Sequence, residues 1–318
     1  MSSLAAFIRD YVQYSYSPSE IVERYVHWVS EDKYMILARP KRLHEDSLKG
    51  FTFETEYFAV KCAKRGNDVY RNRVHGRFKG LCGNSENLVF FNPKDRGAKR
   101  TRALWVTLTY DTKLCSFDNA WRNVGMEFNG FMACVREKFG RVSCCRVFES
   151  FENGHPHIHC ILLFETSFSV FRDSKGQFRV HPKDAIAEGW HSNVDVKAMS
   201  SLAGGFSYLK KYLLKNNNAD KADSKALMTL ALCWAFRKRA FSVSGQFRKA
   251  LADLIVSMHN SNKRLVQISL SGDALPEEKF GVLGFVPIAV LGLSKDIWFS
   301  VLSSEQVSSI DRFLSESR

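Results

Sequence analysis

The segment from Gly154 to Phe164, which reads Gly-His-Pro-His-Ile-His-Cys-Ile-Leu-Leu-Phe, constrains the fold more than any other part of the chain. Its apolar second half predicts a buried β-strand, and on a strand His157 and His159 point to the same face. Two imidazoles on one face can hold a divalent ion if a neighbouring strand supplies a third ligand. The alternative is two half-buried structural histidines. His155 is a weaker candidate ligand, because the proline after it is expected to carry it off this face.

Glu149 is the best candidate for the third ligand, on a condition set by the length of the connecting loop. An odd-length loop over residues 151–155 pairs Glu149 with His157 and places both side chains on one face. A two-residue turn at residues 153–154 would turn Glu149 to the other face and leave Glu152 as a weak substitute. The sequence therefore makes the loop length a structural test of the proposed ligand set.

A second group of polar residues lies at positions 207–215, Ser-Tyr-Leu-Lys-Lys-Tyr-Leu-Leu-Lys. On a helix Tyr208 and Tyr212 share a face, and Lys211 and Lys215 share an adjacent one. A tyrosine oxygen can attack phosphorus when a metal polarises the phosphate and nearby cations stabilise the phenolate. Taken alone, however, the pattern fits an amphipathic surface helix better than a catalytic one.

Positive charge is concentrated rather than spread over the chain. The net charge is +13, and the 42 residues from Lys61 to Arg102 contain twelve basic and three acidic residues, a net charge of +9. Repulsion is expected to keep such a stretch from packing on itself, and a phosphate backbone would relieve it; a solvated face is the alternative. A second basic cluster spans residues 237–239 and 248–249. The candidate DNA contacts are Lys94, Arg96, Lys99, Arg100, Lys215, Arg237, Lys238 and Arg239.

The order of predicted elements indicates an α+β fold, with a central, mostly antiparallel sheet and helices packed on one face of it. Periodicity and composition predict helices at about 17–30, 117–139, 203 onward and 224–259. Strands are predicted at about 51–62, 88–91, 104–110, 142–151, 157–164 and 194–196. We expect an N-terminal helical and β accessory region with the basic tract (1–98), a central domain (99–262) and a C-terminal extension (263–318).

Several classes of protein are excluded. The N-terminus lacks the pattern of a secretory signal, and the longest apolar stretch, residues 280–293, is too short to span a bilayer and is expected to be buried. Eight cysteines without Cys-x-x-Cys spacing predict reduced thiols rather than a zinc ribbon or disulfide framework. The chain contains no Gly-x-x-x-x-Gly-Lys-Ser/Thr phosphate loop, so no fused ATP-driven helicase is expected. We expect a cytoplasmic protein with no membrane partner.

Taken together, the histidine and tyrosine motifs resemble those of the HUH endonucleases. Within that superfamily the chain is most similar to the two-tyrosine rolling-circle replication initiators of small phages, plasmids and archaeal viruses. Trp105-Val-Thr-Leu-Thr109 resembles their first motif strand. The stretch 189–196 with Gly204-Gly205 resembles the strand and turn that lead to their tyrosine helix. The resemblance covers roughly residues 100–250 and does not extend to residues 1–95 or 265–318.

The resemblance implies an HUH endonuclease domain at 99–262 that nicks and rejoins single-stranded origin DNA. Its metal ligands would be His157, His159 and Glu149, holding Mg²⁺ or Mn²⁺. Its nucleophiles would be Tyr208 and Tyr212, with Lys211 steadying charge at the phosphate or at a tyrosine oxygen. The implied product is a 5′-phosphotyrosyl bond with a free 3′-hydroxyl. Its partners would be origin DNA and the polymerase and separate helicase of a cell that hosts a virus or plasmid.

Two alternatives stay open at this stage. The first is another enzyme of the same superfamily, such as a transposase; a conjugative relaxase is disfavoured because the histidines here precede the tyrosines. The second is a non-catalytic nucleic-acid-binding protein that uses the basic tract and its aromatic residues, with histidines that are structural.

Overall fold

The computed structural model describes residues 16–46, 50–83, 85–215, 223–239, 241–247 and 281–316. Its elements, in chain order, are α1 (Pro18–Ser30), β1 (Lys33–Asp46), β2 (Gly50–Lys61), α2 (Asp68–Gly83), β3 (Lys99–Thr109), α3 (Phe117–Phe139), β4 (Val142–Ser150), β5 (Pro156–Arg172), β6 (Phe178–His181), α4 (Lys183–Ala187), β7 (Val194–Ala198), α5 (Leu202–Lys215), α6 (Ser224–Ala235), β8 (Phe241–Val243), β9 (Gly281–Pro287), α7 (Ile288–Leu291), β10 (Phe299–Val301) and α8 (Ser304–Glu316).

Antiparallel sheets with helices packed on them make this an α+β fold, as predicted. The chain divides into two compact units, and each is discontinuous in sequence. The first comprises residues 1–26 and 65–255, and the second comprises residues 27–64 and 256–318. This division differs from the three consecutive regions expected from the sequence, since the boundary expected at residue 98 falls inside the first unit.

The first unit is built on a six-stranded antiparallel sheet. Its strand order is β7-β3-β5-β4-β8, and β6 pairs with the outer part of β5. One face packs against α2 and α5, whose buried residues include Phe78 and Phe206. The other face receives α3, where Trp121 lies 5.8 Å from Phe148 between ring centroids. Helices therefore cover both faces, not the single face expected, because β4 and β5 alternate apolar residues to both sides.

The second unit contains a four-stranded antiparallel sheet in the order β10-β2-β1-β9. The β1–β2 hairpin supplies its two central strands, and both edge strands come from the C-terminal part of the chain. The core between this sheet and the C-terminal helices includes Tyr34, Ile36, Val286 and Ile310, all essentially inaccessible to solvent. The sequence motifs gave no signal for this arrangement.

The basic tract folds partly into a helix, which contradicts the expectation that repulsion would keep it from packing. In α2 the apolar residues Val74, Phe78 and Leu81 recur at i, i+4 and i+7, and all three are buried against α5. Burial of this stripe outweighs repulsion among the basic residues, because their long side chains point to solvent. The strand predicted at residues 88–91 is reduced to one isolated bridge, between Val89 and Ser201.

Two further predictions need correction. The helix predicted at 224–259 ends at Ala235 and is followed by β8, which pairs with β4; residues 248–259 lie outside the described residues. The apolar stretch 280–293 forms β9 and α7. Although Val286 is buried, Val282 and Phe285 are more than half exposed, because alternate residues of a sheet-edge strand face away from the core.

Two expectations about chemistry agree with the structure. All eight cysteines are free thiols. In the part of the chain that the structure describes, every helix is too short or too polar to cross a membrane.

Candidate metal centre and tyrosine pair

The β4–β5 hairpin places the candidate carboxylate beside the two histidines. Its loop spans residues 151–155 and is closed by a 2.9 Å backbone hydrogen bond between the first and last of them. The register pairs Glu149 with His157 and Val147 with His159. The odd-length loop predicted from the sequence is confirmed, and Glu149 therefore lies on the histidine face of the sheet.

The loop itself is fixed by contacts on its far side. The indole N–H of Trp121 donates to the carbonyl of Gly154 at 2.7 Å. Gly154 has a φ of +85°, and a Cβ at this position would lie 2.9 Å from a ring carbon of Pro18, so only glycine fits. The ring of His155 points away and bonds the carbonyl of Cys115 at 2.9 Å. As expected, His155 lies outside the group of candidate ligands.

Glu149, His157 and His159 form a compact group. One ligand atom from each falls within 4.8 Å of the other two. Glu149 Oε2 lies 3.1 Å from His159 Nε2 and 3.6 Å from His157 Nδ1. On the other side of the carboxylate, Lys225 Nζ, from the first turn of α6, lies 3.4 Å from Oε1. One carboxylate oxygen thus faces the imidazoles while the other is held by a cation.

The electrostatics of the group favour its metal-binding protonation states. Burial acts to raise the pKa of Glu149, but its interactions with His157, His159 and Lys225 outweigh burial and hold that pKa well below its usual range. Burial also lowers the pKa of His159, against the opposing effect of Glu149. At neutral pH the carboxylate is therefore ionised and the His159 imidazole is neutral, the forms in which both groups bind metals.

His157 gives the clearest indication that the group fits an ion. In the described part of the chain neither of its ring nitrogens has a hydrogen-bond partner, although both are buried. Its ring stacks on Phe151 at 4.7 Å, which leaves the nitrogens directed along the sheet face. Buried polar atoms are rarely left unpaired, and a cation would pair these. Two imidazoles and one carboxylate can hold a divalent metal ion.

Behind His159 lies a short hydrogen-bonded chain from β3. The indole N–H of Trp105 donates to Thr107 Oγ1 at 3.1 Å, and that oxygen lies 3.3 Å from His159 Nδ1. A polar partner on one ring nitrogen fixes the orientation of the imidazole and directs the other nitrogen. Here the directed nitrogen is Nε2, the one that faces Glu149.

Helix α5 brings both candidate nucleophiles to this face. The ring of Tyr212 lies 4.7 Å from that of His159, and the ring of Tyr208 lies 5.0 Å from that of Trp105. The two tyrosine hydroxyls are 2.9 Å apart and hydrogen-bonded. Tyr208 is 48% exposed. Burial, the bond to Tyr208 and the charge of Glu149 together raise the pKa of Tyr212, so its phenol is protonated at neutral pH.

The predicted lysines of α5 are not part of this contact network. Lys211 is exposed and forms no hydrogen bond or ion pair with any described residue. The side chain of Lys215 lies outside the described residues. The predicted role of Lys211 in charge stabilisation therefore remains a prediction.

The predicted DNA-contacting residues lie away from the metal group. Lys99 and Arg100 begin β3 and pair with Val170 and Ser169, whereas the histidines pair with Thr107 and Thr109 at the other end of that strand. Arg100 donates to Ser167. Lys94 and Arg96 are exposed on the preceding loop. Beyond α6, Arg237 and Arg239 are exposed, and Lys238 donates to the carbonyl of Arg122 at 3.0 Å. These contacts with DNA remain predictions.

Two residues of the site were missed in the sequence. Lys225 is 76 positions from Glu149, and a lysine in the first turn of a helix has no spacing that marks it. Phe151 was assigned only to the end of a strand. The helical break after residue 215 and the Asp223 side chain, which caps α6 at 2.8 Å, give the only local indication that a helix begins near Lys225.

The chain was compared with known proteins. Residues 103–217 match the model of a family of replication-associated proteins of the ORF2 type. The matched region is 115 of 318 residues, and it contains both histidines, Glu149 and both tyrosines but not Lys225. The match supports a replication-associated protein of the Rep type. Comparison with curated proteins and with solved structures gives no significant match.

Proposed function

We propose that the protein is a rolling-circle replication initiator of the two-tyrosine HUH type, which nicks and rejoins single-stranded origin DNA. The observation that carries the proposal is the juxtaposition of a tyrosine pair with a carboxylate–histidine group. The Tyr212 ring lies 4.7 Å from His159, and its hydroxyl lies 2.9 Å from that of Tyr208. The family match over residues 103–217 supports DNA replication as the setting.

Glu149, His157 and His159 are the residues that would hold the divalent ion. Mn²⁺ or Mg²⁺ bound there would polarise a DNA phosphate and make its phosphorus more electrophilic. The second carboxylate oxygen of Glu149 is held by Lys225, and the His159 ring by Thr107, so the ligands are oriented before any substrate arrives.

The chemistry would run as two transesterifications. In the first, the phenolic oxygen of one tyrosine bonds to phosphorus as the bond from phosphorus to the 3′ oxygen breaks. The phenolic proton is lost and the departing oxygen takes up a proton, which leaves a 5′-phosphotyrosyl bond and a 3′-hydroxyl for a polymerase. After one round the second tyrosine cleaves the regenerated origin, and the freed 3′-hydroxyl attacks the first phosphotyrosine to close the circle and release that tyrosine.

The two tyrosines have different surroundings, which suits alternating roles. Tyr208 is half exposed and accessible to an arriving strand, whereas Tyr212 packs against His159 and its pKa is raised by burial. Their shared hydrogen bond lets either hydroxyl accept a proton from the other as one oxygen moves to phosphorus. Lys211, exposed on the same helix, would stabilise charge at the phosphate.

The test is covalent trapping of DNA on the protein. Wild-type protein with Mn²⁺ and a library of single-stranded origin oligonucleotides is expected to leave a denaturation-resistant adduct. The variant Tyr208→Phe/Tyr212→Phe should leave none, because phenylalanine has no attacking oxygen. Each single variant should still form an adduct but fail to complete a second cleavage.

The matched control is Tyr110→Phe, since Tyr110 is a buried tyrosine at the end of β3 that packs on Trp190, away from the pair. It should form the adduct at the wild-type level. A double variant that still forms the adduct would overturn the tyrosine mechanism. A wild-type protein that binds the oligonucleotides but never forms an adduct would identify a non-catalytic binder.

A further inference from the structure

A second polar cavity lies in the first unit, away from the metal group. It has a volume of about 330 Å³ and is lined by residues of β3, α3, β4 and β5 and of the segment after β8. Three arginines border it: Arg102 from β3, Arg136 from the last turn of α3, and Arg141 from the connection to β4. The acidic residue on its lining is Glu165 of β5. Three cations against one carboxylate make this cavity a site for an anion.

The guanidinium groups are available for a ligand. Among the described residues, those of Arg102 and Arg136 have no hydrogen-bonding acceptor and no ion pair. The Arg141 side chain is 90% exposed, and its contact with Glu165 is a marginal 4.0 Å. An exposed pair at that distance contributes little, so the arginine can turn to another anion. Guanidinium groups bind phosphate through two parallel hydrogen bonds.

The backbone beneath the cavity is closely packed. Gly245 has a φ of +65°, and a Cβ there would lie 2.4 Å from Ser143 Oγ and 2.8 Å from Ser143 Cα. The same hydroxyl accepts a 2.9 Å hydrogen bond from the backbone N–H of Gln246. Arg102 lies at a register shift of β3, a feature that commonly redirects a side chain. The arginines therefore project from a fixed frame.

The cavity also has a defined position relative to the metal group. Along β5, seven residues separate His157 from Phe164 at the cavity, which is about 23 Å at the rise of a β-strand. Lys99 and Arg100 lie at this same end of the sheet. Positive charge at this end is thus separated from the tyrosines by much of the sheet.

We propose that this arginine pocket binds phosphates of a DNA strand, at a second site distinct from the metal and tyrosine centre. Each arginine would neutralise one phosphate, and the strand segment held there is separate from the segment that is cut. The inference rests on the cavity and its charges and holds whether or not the tyrosines are nucleophiles.

The test measures DNA binding without metal, so that no cleavage step enters. Affinity for a mixed-sequence single strand of about 20 nucleotides is measured by fluorescence anisotropy in EDTA, at about 50 to 200 mM salt. In the variant Arg102→Ala/Arg136→Ala/Arg141→Ala, the slope of log affinity against log salt should fall by about 2, because three phosphate contacts release about 0.7 counterion each. Affinity at the lowest salt should fall at least about tenfold.

The control removes the same charge elsewhere, by Lys33→Ala/Lys295→Ala/Arg312→Ala, three exposed residues of the second unit. It should change the slope by less than about 0.5. An unchanged slope in the arginine variant, or an equal fall in the control, would overturn the proposal.

A gain-of-affinity variant guards against misfolding. Glu165→Gln removes the carboxylate from the cavity lining and should tighten DNA binding about twofold to fivefold at low salt. Glu305→Gln, an exposed change of the same kind on α8, should leave the affinity unchanged. Weaker binding by Glu165→Gln would count against the pocket as a phosphate site.

Discussion

The two ends of the six-stranded sheet present polar groups in opposite ways. At one end Glu149 and His159 are buried, and each polar atom is held by a neighbour on another element. At the other end Arg136 and Arg141 stand in solvent with no strong partner. Groups of the first kind are oriented before a ligand arrives and suit chemistry, and groups of the second kind adapt to a flexible polyanion and suit grip. One sheet therefore separates the two tasks.

The largest expected effect would separate these two ends outright. Replacing His157 with alanine removes an imidazole from the metal group, so Mn²⁺ affinity and DNA adduct formation should each fall by more than about 100-fold. Single-strand affinity in EDTA should change less than about twofold, because the arginine pocket is distant. Isothermal titration with Mn²⁺, the adduct assay and anisotropy measure the three quantities.

His155→Ala is the matched control for that experiment. His155 is a neighbouring buried histidine whose ring bonds the Cys115 carbonyl rather than the metal group. Its loss should lower the unfolding free energy by about 1 kcal/mol and leave Mn²⁺ affinity unchanged. A fall in DNA affinity for His157→Ala as large as its fall in Mn²⁺ affinity would show that the two ends do not act separately.

The frame beneath the arginine pocket should be sensitive to one methyl group. Gly245→Ala combines a positive φ with a Cβ 2.4 Å from Ser143 Oγ, so it should lower the unfolding free energy by about 2 to 4 kcal/mol. Gly176→Ala, at a φ of +74° with open space around it, should cost only about 1 kcal/mol. Urea denaturation compares the two, and equal losses would mean that the close approach to Ser143 is not constraining.

The smallest effect expected is at the partner of His159. Thr107→Val keeps the shape of the side chain but removes the oxygen 3.3 Å from Nδ1, and Mn²⁺ affinity should fall about tenfold. Thr109→Val serves as control, since its hydroxyl donates instead to the carbonyl of Asn193. Mn²⁺ titration distinguishes them. Equal affinities in the two variants would show that the oxygen does not orient the ring.

The local parts of this molecule could be predicted from sequence and the distant ones could not. The parity of the loop at 151–155 set the register of Glu149 against His157, because side chains on a strand alternate with period two. The boundaries of α3 also followed from its apolar periodicity. The second unit joins β1 and β2 to strands that begin near residue 281, and no local pattern encodes which distant strand fills a sheet edge.

Charge misled the prediction where burial decided the structure. Twelve basic residues drew attention away from the stripe of Val74, Phe78 and Leu81, which is enough to bury a face of α2. Conversely, Lys225 looked like an ordinary surface lysine and proved to contact Glu149. In both cases a side chain acquired its role only from what the fold brought beside it.

Strand β5 runs for 17 residues, from the histidines past the arginine pocket. If the pocket holds a strand of DNA, this element is a molecular ruler, because the distance from held phosphate to cut phosphate is fixed by its rise per residue. At the B-form spacing of about 3.4 Å per phosphate, about 23 Å corresponds to roughly seven nucleotides. Cleavage would then occur at a constant offset from an anchored nucleotide, whatever the sequence between them.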